Sequence, residues 1–323
     1  MDSDRTLPML PDERPEFLAA ALGSLKDYNH DLVNVPAMWR RTKGQRVRVA
    51  VLDTGMPMHK DLTVFSSKTF VDGYLEDKNG HATAVGSIIA GKGNGGNGIL
   101  GIAPDADIAY GAVLNDCGAG SMSNLAKAIR WAVDDIHADV VNLSLGVPNS
   151  FGCDPLVMHA CNYAAEHGVT VVAAAGNDAS EVNWPAALDS VIAVAAVDRD
   201  LRPASFSARG PEVEFAAGGV SVMTAYKDNG YASMSGTSFS APVIAGIAAL
   251  IISEAMTHGP QPSPEQVRER LKSISYDIAD PGRDDRTGWG IPVFTKESGA
   301  DGGPGVPNSG SWLAKLLRKL RFW

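Results

Sequence analysis

Gly236-Thr237-Ser238-Phe239-Ser240-Ala241-Pro242 runs without a charge into Val243-Ile244-Ala245-Gly246-Ile247-Ala248-Ala249-Leu250-Ile251-Ile252. The run after Ser238 is shorter than the roughly 20 apolar residues that cross a bilayer, so it predicts a buried helix of a globular body. Pro242 lacks a backbone N–H and is tolerated only in a first helical turn, which makes Ser238 the residue that opens the helix. A hydroxyl there stands at the positive end of the helix dipole, beside backbone N–H groups that lack intrahelical partners and can stabilise an oxyanion. A lone Gly-Thr-Ser is usually just a helix cap. A catalytic reading therefore needs partners from elsewhere in the chain.

The chain upstream supplies a scaffold. Its 323 residues are 45% hydrophobic and 20% charged, enough to bury a large core in one big domain or two small ones. Apolar runs at 47–52, 108–114, 140–145, 169–175 and 191–197 predict buried strands. Helical patterns at 81–90, 121–136 and 155–167 lie between them. This alternation predicts an α/β fold of parallel βαβ units with helices on both faces of a mostly parallel central sheet. Asp53 closes the first run and Gly176-Asn177 the fourth, so both fall at carboxyl edges, where open α/β sheets form their crevice. Another helix is expected from Ser263-Pro264-Glu265 to about Ser275, with a closing turn at 288–293.

Charge and cysteine usage exclude several function classes. The formal net charge is -9, and four cationic residues crowd the last nine positions, leaving the chain before them at about -13. Nucleic acid is not an expected partner of such a body. The segment 91–98, GKGNGGNG, lacks the Gly-Lys-Ser/Thr ending of a phosphate loop. The acidic start Met1-Asp2-Ser3-Asp4-Arg5 and the short apolar stretch 17–22 do not make a secretion signal. Cys117, Cys153 and Cys161 are odd in number and lack metal-ligand spacing, which suits free thiols in a reducing compartment. A cytoplasmic location is the expectation.

Three residues complete what Ser238 needs. Asp53 stands in Ala50-Val51-Leu52-Asp53-Thr54-Gly55, His81 follows Asn79-Gly80, and Asn177 ends Ala174-Ala175-Gly176-Asn177. Each alone has a plain explanation as a turn, structural or strand-closing residue. Asp-Thr-Gly occurs once, so an aspartic-protease pair sharing a proton is not available. Together the residues fill four roles: an orienting carboxylate, a general base, a neutral oxyanion donor and a nucleophile. Serine is a weak nucleophile at neutral pH, so it needs an imidazole to take its proton and a carboxylate to fix that imidazole's tautomer.

The order Asp53, His81, Ser238 and the words around each residue resemble the subtilisin-like serine proteases. The resemblance covers about 33–295 and implies a three-layer α/β fold, a serine endopeptidase acting on extended polypeptide through an acyl-enzyme, and Asn177 in the oxyanion hole. It implies substrate edges at Gly118-Ala119-Gly120 and Ser144-Leu145-Gly146, which hold a peptide by main-chain β-pairing. It also implies a specificity pocket between 144–146 and Ala174-Ala175-Gly176, with Asn183 near its base. Two departures stand out: His81-Ala82-Thr83-Ala84 replaces His-Gly-Thr-His, and Phe239 replaces the Met after the nucleophile.

Further expectations follow from the same likeness. Without a secretion signal or long pro-domain, the chain looks most like the intracellular branch. There an N-terminal extension, here 1–30 with Leu7-Pro8-Met9-Leu10-Pro11, crosses the active site as a latch, proline withholding an N–H from pairing. The peptidase domain is then 31–296. The family usually binds structural calcium through oxygen ligands, here Asp61 with Asn94 and Asn97; no organic cofactor is expected, and a homodimer fits the branch. Residues 297–310 have the Gly/Pro/Ser composition of a linker. In 311–323, Trp312, Leu313, Leu316, Leu317, Leu320 and Trp323 share one helical face opposite Lys315, Arg318 and Arg321, a pattern suited to an anionic membrane surface. Two other readings stay open: a dedicated maturation protease for one peptide partner, and an inactive subtilisin-like binding module.

Overall fold

The apolar runs become parallel strands. In this computed structural model, which describes residues 6–8, 15–17, 27–73 and 75–294, strands β1 (Thr6–Pro8) and β2 (Glu16–Phe17) precede two short helices, α1 (Asn29–Leu32) and α2 (Val35–Trp39). There follow β3 (Arg48–Asp53), β4 (Val64–Thr69), α3 (His81–Ala90), β5 (Asp107–Ala112), β6 (Ala119–Ser121), α4 (Met122–Asp134), β7 (Val140–Leu143) and α5 (Pro155–Glu166). Next come β8 (Thr170–Ala174), β9 (Val191–Val197), β10 (Val213–Gly218) and a hairpin of β11 (Val222–Tyr226) with β12 (Gly230–Met234). The hairpin leads into α6 (Thr237–His258), followed by α7 (Pro264–Ser273), β13 (Ser275–Tyr276) and β14 (Ile291–Pro292). Residues 9–11 of the expected latch, the expected linker 297–310 and the expected amphipathic segment 311–323 lie outside the described residues.

Seven strands form the central sheet in the order β10-β9-β8-β7-β3-β5-β4, every pairing parallel. Helices α3 and α6 pack together against one side of the sheet, while α4 and α5 pack together and meet β3 and β8. The strand order changes direction at β3, which pairs with β5 on one side and β7 on the other. Its carboxyl end is therefore a topological switch point, where such sheets open a crevice, and Asp53 is its last residue.

The strands β7, β8 and β9 are buried along their whole length, which is why they read as unbroken Val/Ala/Ile runs. The edge strand β4 has exposed residues at Phe65, Lys68 and Thr69 and no such run, so its sequence alone does not announce it. Helix α6 extends to His258, six residues beyond the apolar run, and every residue from Thr237 to Ser253 is buried. By length and composition it could cross a membrane, yet it lies within the body of the protein. Gly246 lets it pass close to the chain at Ile102, since a Cβ there would come within 2.7 Å of the Ile102 Cβ. Helix α7 begins with a capping box of Ser263 and Gln266, and its Arg268 pairs with Glu214 of β10 at 2.9 Å. Burial pushes the Glu214 carboxyl up to about 7 against the pull of Arg268. Cys117, Cys153 and Cys161 are all free thiols.

Candidate active site

Asp53 and His81 meet at the switch point. Asp53 is fully buried and His81 1% exposed, and His81 Nδ1 lies 2.7 Å from Asp53 Oδ1. The same carboxylate oxygen accepts the Thr54 N–H at 2.7 Å. With Nδ1–H donating to Asp53, the imidazole is left with Nε2 as its basic nitrogen, the tautomer a general base requires. His81 is the first residue of α3, after Gly80 in a left-handed conformation (φ 100°). A Cβ at Gly80 would come within 2.7 Å of the Tyr226 ring, so both conformation and space call for glycine.

A second buried carboxylate fixes this corner. Asp77 Oδ1 accepts from Thr54 Oγ1 at 2.8 Å and from Gly80 N at 2.7 Å. Its Oδ2 accepts from Thr83 N at 2.8 Å and Thr83 Oγ1 at 2.6 Å. Thr54 Oγ1 in turn accepts the Ala82 N–H at 3.0 Å. Asp77 thus ties the loop after Asp53 to the first turn of α3 on both sides of His81, and as an anion it suits a helix N-terminus. Sequence reading did not single out Asp77, Thr54 or Thr83. The available signal was an acidic residue four positions before the first residue of a helix, followed by Gly80, a pattern that helix-start chemistry favours.

Ser238 stands in the first turn of α6, fully buried. Its Oγ donates to Ser144 O at 3.2 Å, and Ser144 Oγ donates to Ser238 O at 2.8 Å. The neighbouring Phe239 lies against the base, its ring centroid 5.6 Å from that of His81. Phe239 is fully buried in the core. Asn177 Oδ1 accepts from Thr237 N at 2.9 Å and Thr237 Oγ1 at 2.8 Å. Thr237 Oγ1 also accepts the Gly176 N–H at 3.1 Å. Because the amide oxygen is held by two donors, the Asn177 NH2 group is the end turned to a partner. Thr237, passed over in the sequence as part of a cap, joins Asn177 to the serine.

The expected substrate segments surround this cluster. Ala119 and Gly120 lie in β6, with Gly118 just before it. The backbone of β1 pairs with β6 antiparallel, Thr6 opposite Ser121, Leu7 opposite Gly120 and Pro8 opposite Ala119. Farther along, β2 pairs antiparallel with β12, Phe17 opposite Ala232 and Glu16 opposite Ser233. Ser144, Leu145 and Gly146 follow β7, and Ala174 ends β8 with Ala175 and Gly176 just after it. Asn183 sits between these two segments: a Cβ on Gly176 would come within 2.7 Å of its Nδ2, and one on Gly146 within 3.5 Å of its Cβ. Asn183 is buried, with Oδ1 lacking a hydrogen-bond partner.

Calcium needs six to eight oxygen ligands. Asp61 Oδ1 is buried without a hydrogen-bond partner, which is the kind of oxygen a cation would use. Oδ2 is already taken by Ile99 N at 2.8 Å and Tyr231 OH at 3.0 Å. Burial and this bond push the Tyr231 phenol up to about 12, so it remains a donor. Asn94 and Asn97 are exposed on the adjoining loop, and among the described residues no three His, Cys, Asp or Glu gather as metal ligands. One carboxylate would carry the whole charge of such a site.

A buried serine at a helix start, grouped with an imidazole–carboxylate pair and an amide donor at the mouth of a parallel sheet, defines a class of serine hydrolase. Comparison with known proteins narrows it. The subtilase family profile (Peptidase_S8) matches residues 44–290. Subtilisin DY of Bacillus licheniformis is 42% identical over 246 residues, 74% of this chain and 86% of that protein. Subtilisin Savinase of Lederbergia lenta is 39% identical over 251 residues, 76% of this chain and 90% of that protein. Minor extracellular protease Epr of Bacillus subtilis (strain 168) is 36% identical over 282 residues, 85% of this chain but 42% of that protein. This chain belongs to the subtilase family and is a subtilisin-like serine endopeptidase.

Proposed function

We propose that Ser238 is the nucleophile, His81 the general base and acid, Asp53 the group that orients His81, and Asn177 an oxyanion donor. The carrying observation is the fully buried Asp53–His81 contact at 2.7 Å with Phe239, the residue after Ser238, packed on the same imidazole. As Ser238 Oγ bonds to the scissile carbonyl carbon, His81 Nε2 takes its proton and the carbonyl electron pair moves to oxygen. Asn177 Nδ2 and the Ser238 N–H donate to that oxyanion. Collapse breaks the C–N bond as His81 returns the proton to the leaving amine, and water repeats the cycle on the acyl-enzyme. The preferred reading is broad cutting of extended polypeptide. A library of unstructured peptides tests it: many sequences should be cut, and cleavage of a single sequence would favour the dedicated maturation protease instead.

The N-terminal segment is proposed as a latch on this site. Support comes from the pairing of Thr6–Pro8 with Ala119–Ser121, the edge on which a substrate's main chain is expected to pair. A chain segment covalently linked to the enzyme competes at high effective concentration. Deleting residues 1 to about 30 is therefore expected to raise turnover of a small chromogenic peptide severalfold at low substrate, with the pH profile unchanged. Equal rates with and without the segment would remove the latch.

A single calcium ion held through Asp61 Oδ1, with Asn94 and Asn97 on the loop beside it, is also proposed. With one carboxylate supplying the charge, affinity belongs at the weak end of protein sites, about 10⁻⁴–10⁻³ M. The melting temperature should then climb as calcium is raised through the millimolar range, as mass action requires of a ligand bound only to the folded state. A flat response up to about 10 mM would rule the site out.

A further inference from the structure

We propose that Ser144 is a positioning residue for the nucleophile, acting through its hydroxyl, and that Asn142 sets the direction of that hydroxyl. The inference rests on Ser238 as nucleophile and names a side-chain function for a residue otherwise expected to serve substrate through its main chain.

Ser144 and Ser238 hold each other at both ends. Ser144 Oγ donates to the Ser238 carbonyl at 2.8 Å, and Ser238 Oγ donates to the Ser144 carbonyl at 3.2 Å. Both residues are fully buried, so water does not replace either bond. A hydroxyl has a single proton to give. Since Ser144 spends its proton on Ser238 O, it must accept from its other partner, and Asn142 Nδ2 lies 2.9 Å away. Asn142 is itself fully buried, and its Oδ1 has no hydrogen-bond partner, so its NH2 end is the one engaged.

The chain Asn142 to Ser144 to Ser238 therefore runs in one donor direction and ends on the peptide group of the nucleophile. Asn142 pairs with Val51 in the central sheet, two residues before Asp53. The same rigid strands that present the carboxylate thus also register the serine peptide, whose N–H is one of the two proposed oxyanion donors. An error of a few tenths of an ångström in that peptide moves nucleophile and donor together.

The test measures phosphonylation of Ser238 by a peptidyl phosphonate ester, in which Oγ bonds to phosphorus as an alcohol or phenol leaves, separating the binding constant from the bond-forming rate, alongside kcat and KM on a peptide substrate. Ser144→Ala should lower the phosphonylation rate and kcat about tenfold to a hundredfold with KM within about twofold, because the main chain of 144–146 remains. Ser144→Thr, which keeps the hydroxyl, should recover most of the loss. Asn142→Leu should lose part of it, and the double variant N142L/S144A should be no slower than S144A, since both act through one bond. Melting temperatures check that each variant is folded; if S144A does not fold, S144T and N142L decide. Unchanged kcat in S144A, multiplying losses in the double variant, or an N142L enzyme as fast as wild type would overturn the proposal. Failure of wild-type protein to react with the phosphonate both with and without residues 1–30 would instead indict the nucleophile.

Discussion

Replacing His81 by Ala is expected to lower kcat by about 10⁶-fold with little change in KM, the scale already known from subtilisins, in which losing the base costs nearly as much as losing all three triad members. The reason lies in proton transfer. The neutral Ser238 hydroxyl is a weak nucleophile, and water is too weak a base to replace an imidazole as the acceptor of its proton. Residual turnover should come from Asn177 and substrate binding alone. Hydrolysis of a chromogenic peptide by protein whose melting curve matches wild type measures it. A loss of under a hundredfold would mean that another group removes the serine proton.

Asp53→Asn should cost about 10⁴-fold at neutral pH, although it preserves shape. Asp53 Oδ1 accepts both from His81 Nδ1 and from the Thr54 N–H, each at 2.7 Å. An asparagine keeps the Thr54 bond by placing its oxygen there, which turns its NH2 away from that donor. If its NH2 faces the imidazole instead, Nδ1 must become the acceptor and Nε2 carries the proton, leaving no base toward Ser238. In either arrangement the negative charge that favours imidazolium in the transition state is gone. The rate of the variant should rise with added hydroxide, as a weaker base takes over. Activity within tenfold of wild type would show that Asp53 neither orients nor stabilises His81.

The core of this site was legible in the sequence for a physical reason. Strands buried on both faces must be written in Val, Ala and Ile, so β3, β7, β8 and β9 announce themselves, and the residues at their carboxyl ends fall into the crevice by topology. The Ser238 helix was likewise readable from its uncharged apolar run, but not from its proline: Pro242 was expected in the first turn and is instead the sixth residue of α6, inside the helix. The supports were not readable. Asp77, Thr54, Thr83 and Thr237 act through hydrogen bonds between loops, with no periodicity to mark them. Asn142 sits inside an apolar strand, where its polarity shows only once its partner Ser144 is seen. The edge strand β4 has no buried position, and the hairpin β11–β12 interrupts its buried positions with half-buried ones, so tertiary pairing decides them. That the Phe239 ring meets the His81 imidazole was not readable either, because the direction of the ring depends on the winding of α6.

Covalent labelling with a serine-directed phosphonate tests the central claim most directly. Full-length protein, and protein freed of residues 1–30 should the latch block access, is incubated with the probe and digested, and the modified peptide is identified by mass. One equivalent on the peptide carrying Ser238, abolished in Ser238→Ala and slowed by orders of magnitude in His81→Ala, is the predicted result. No labelling of folded, extension-free protein, or labelling that persists in Ser238→Ala, would contradict it.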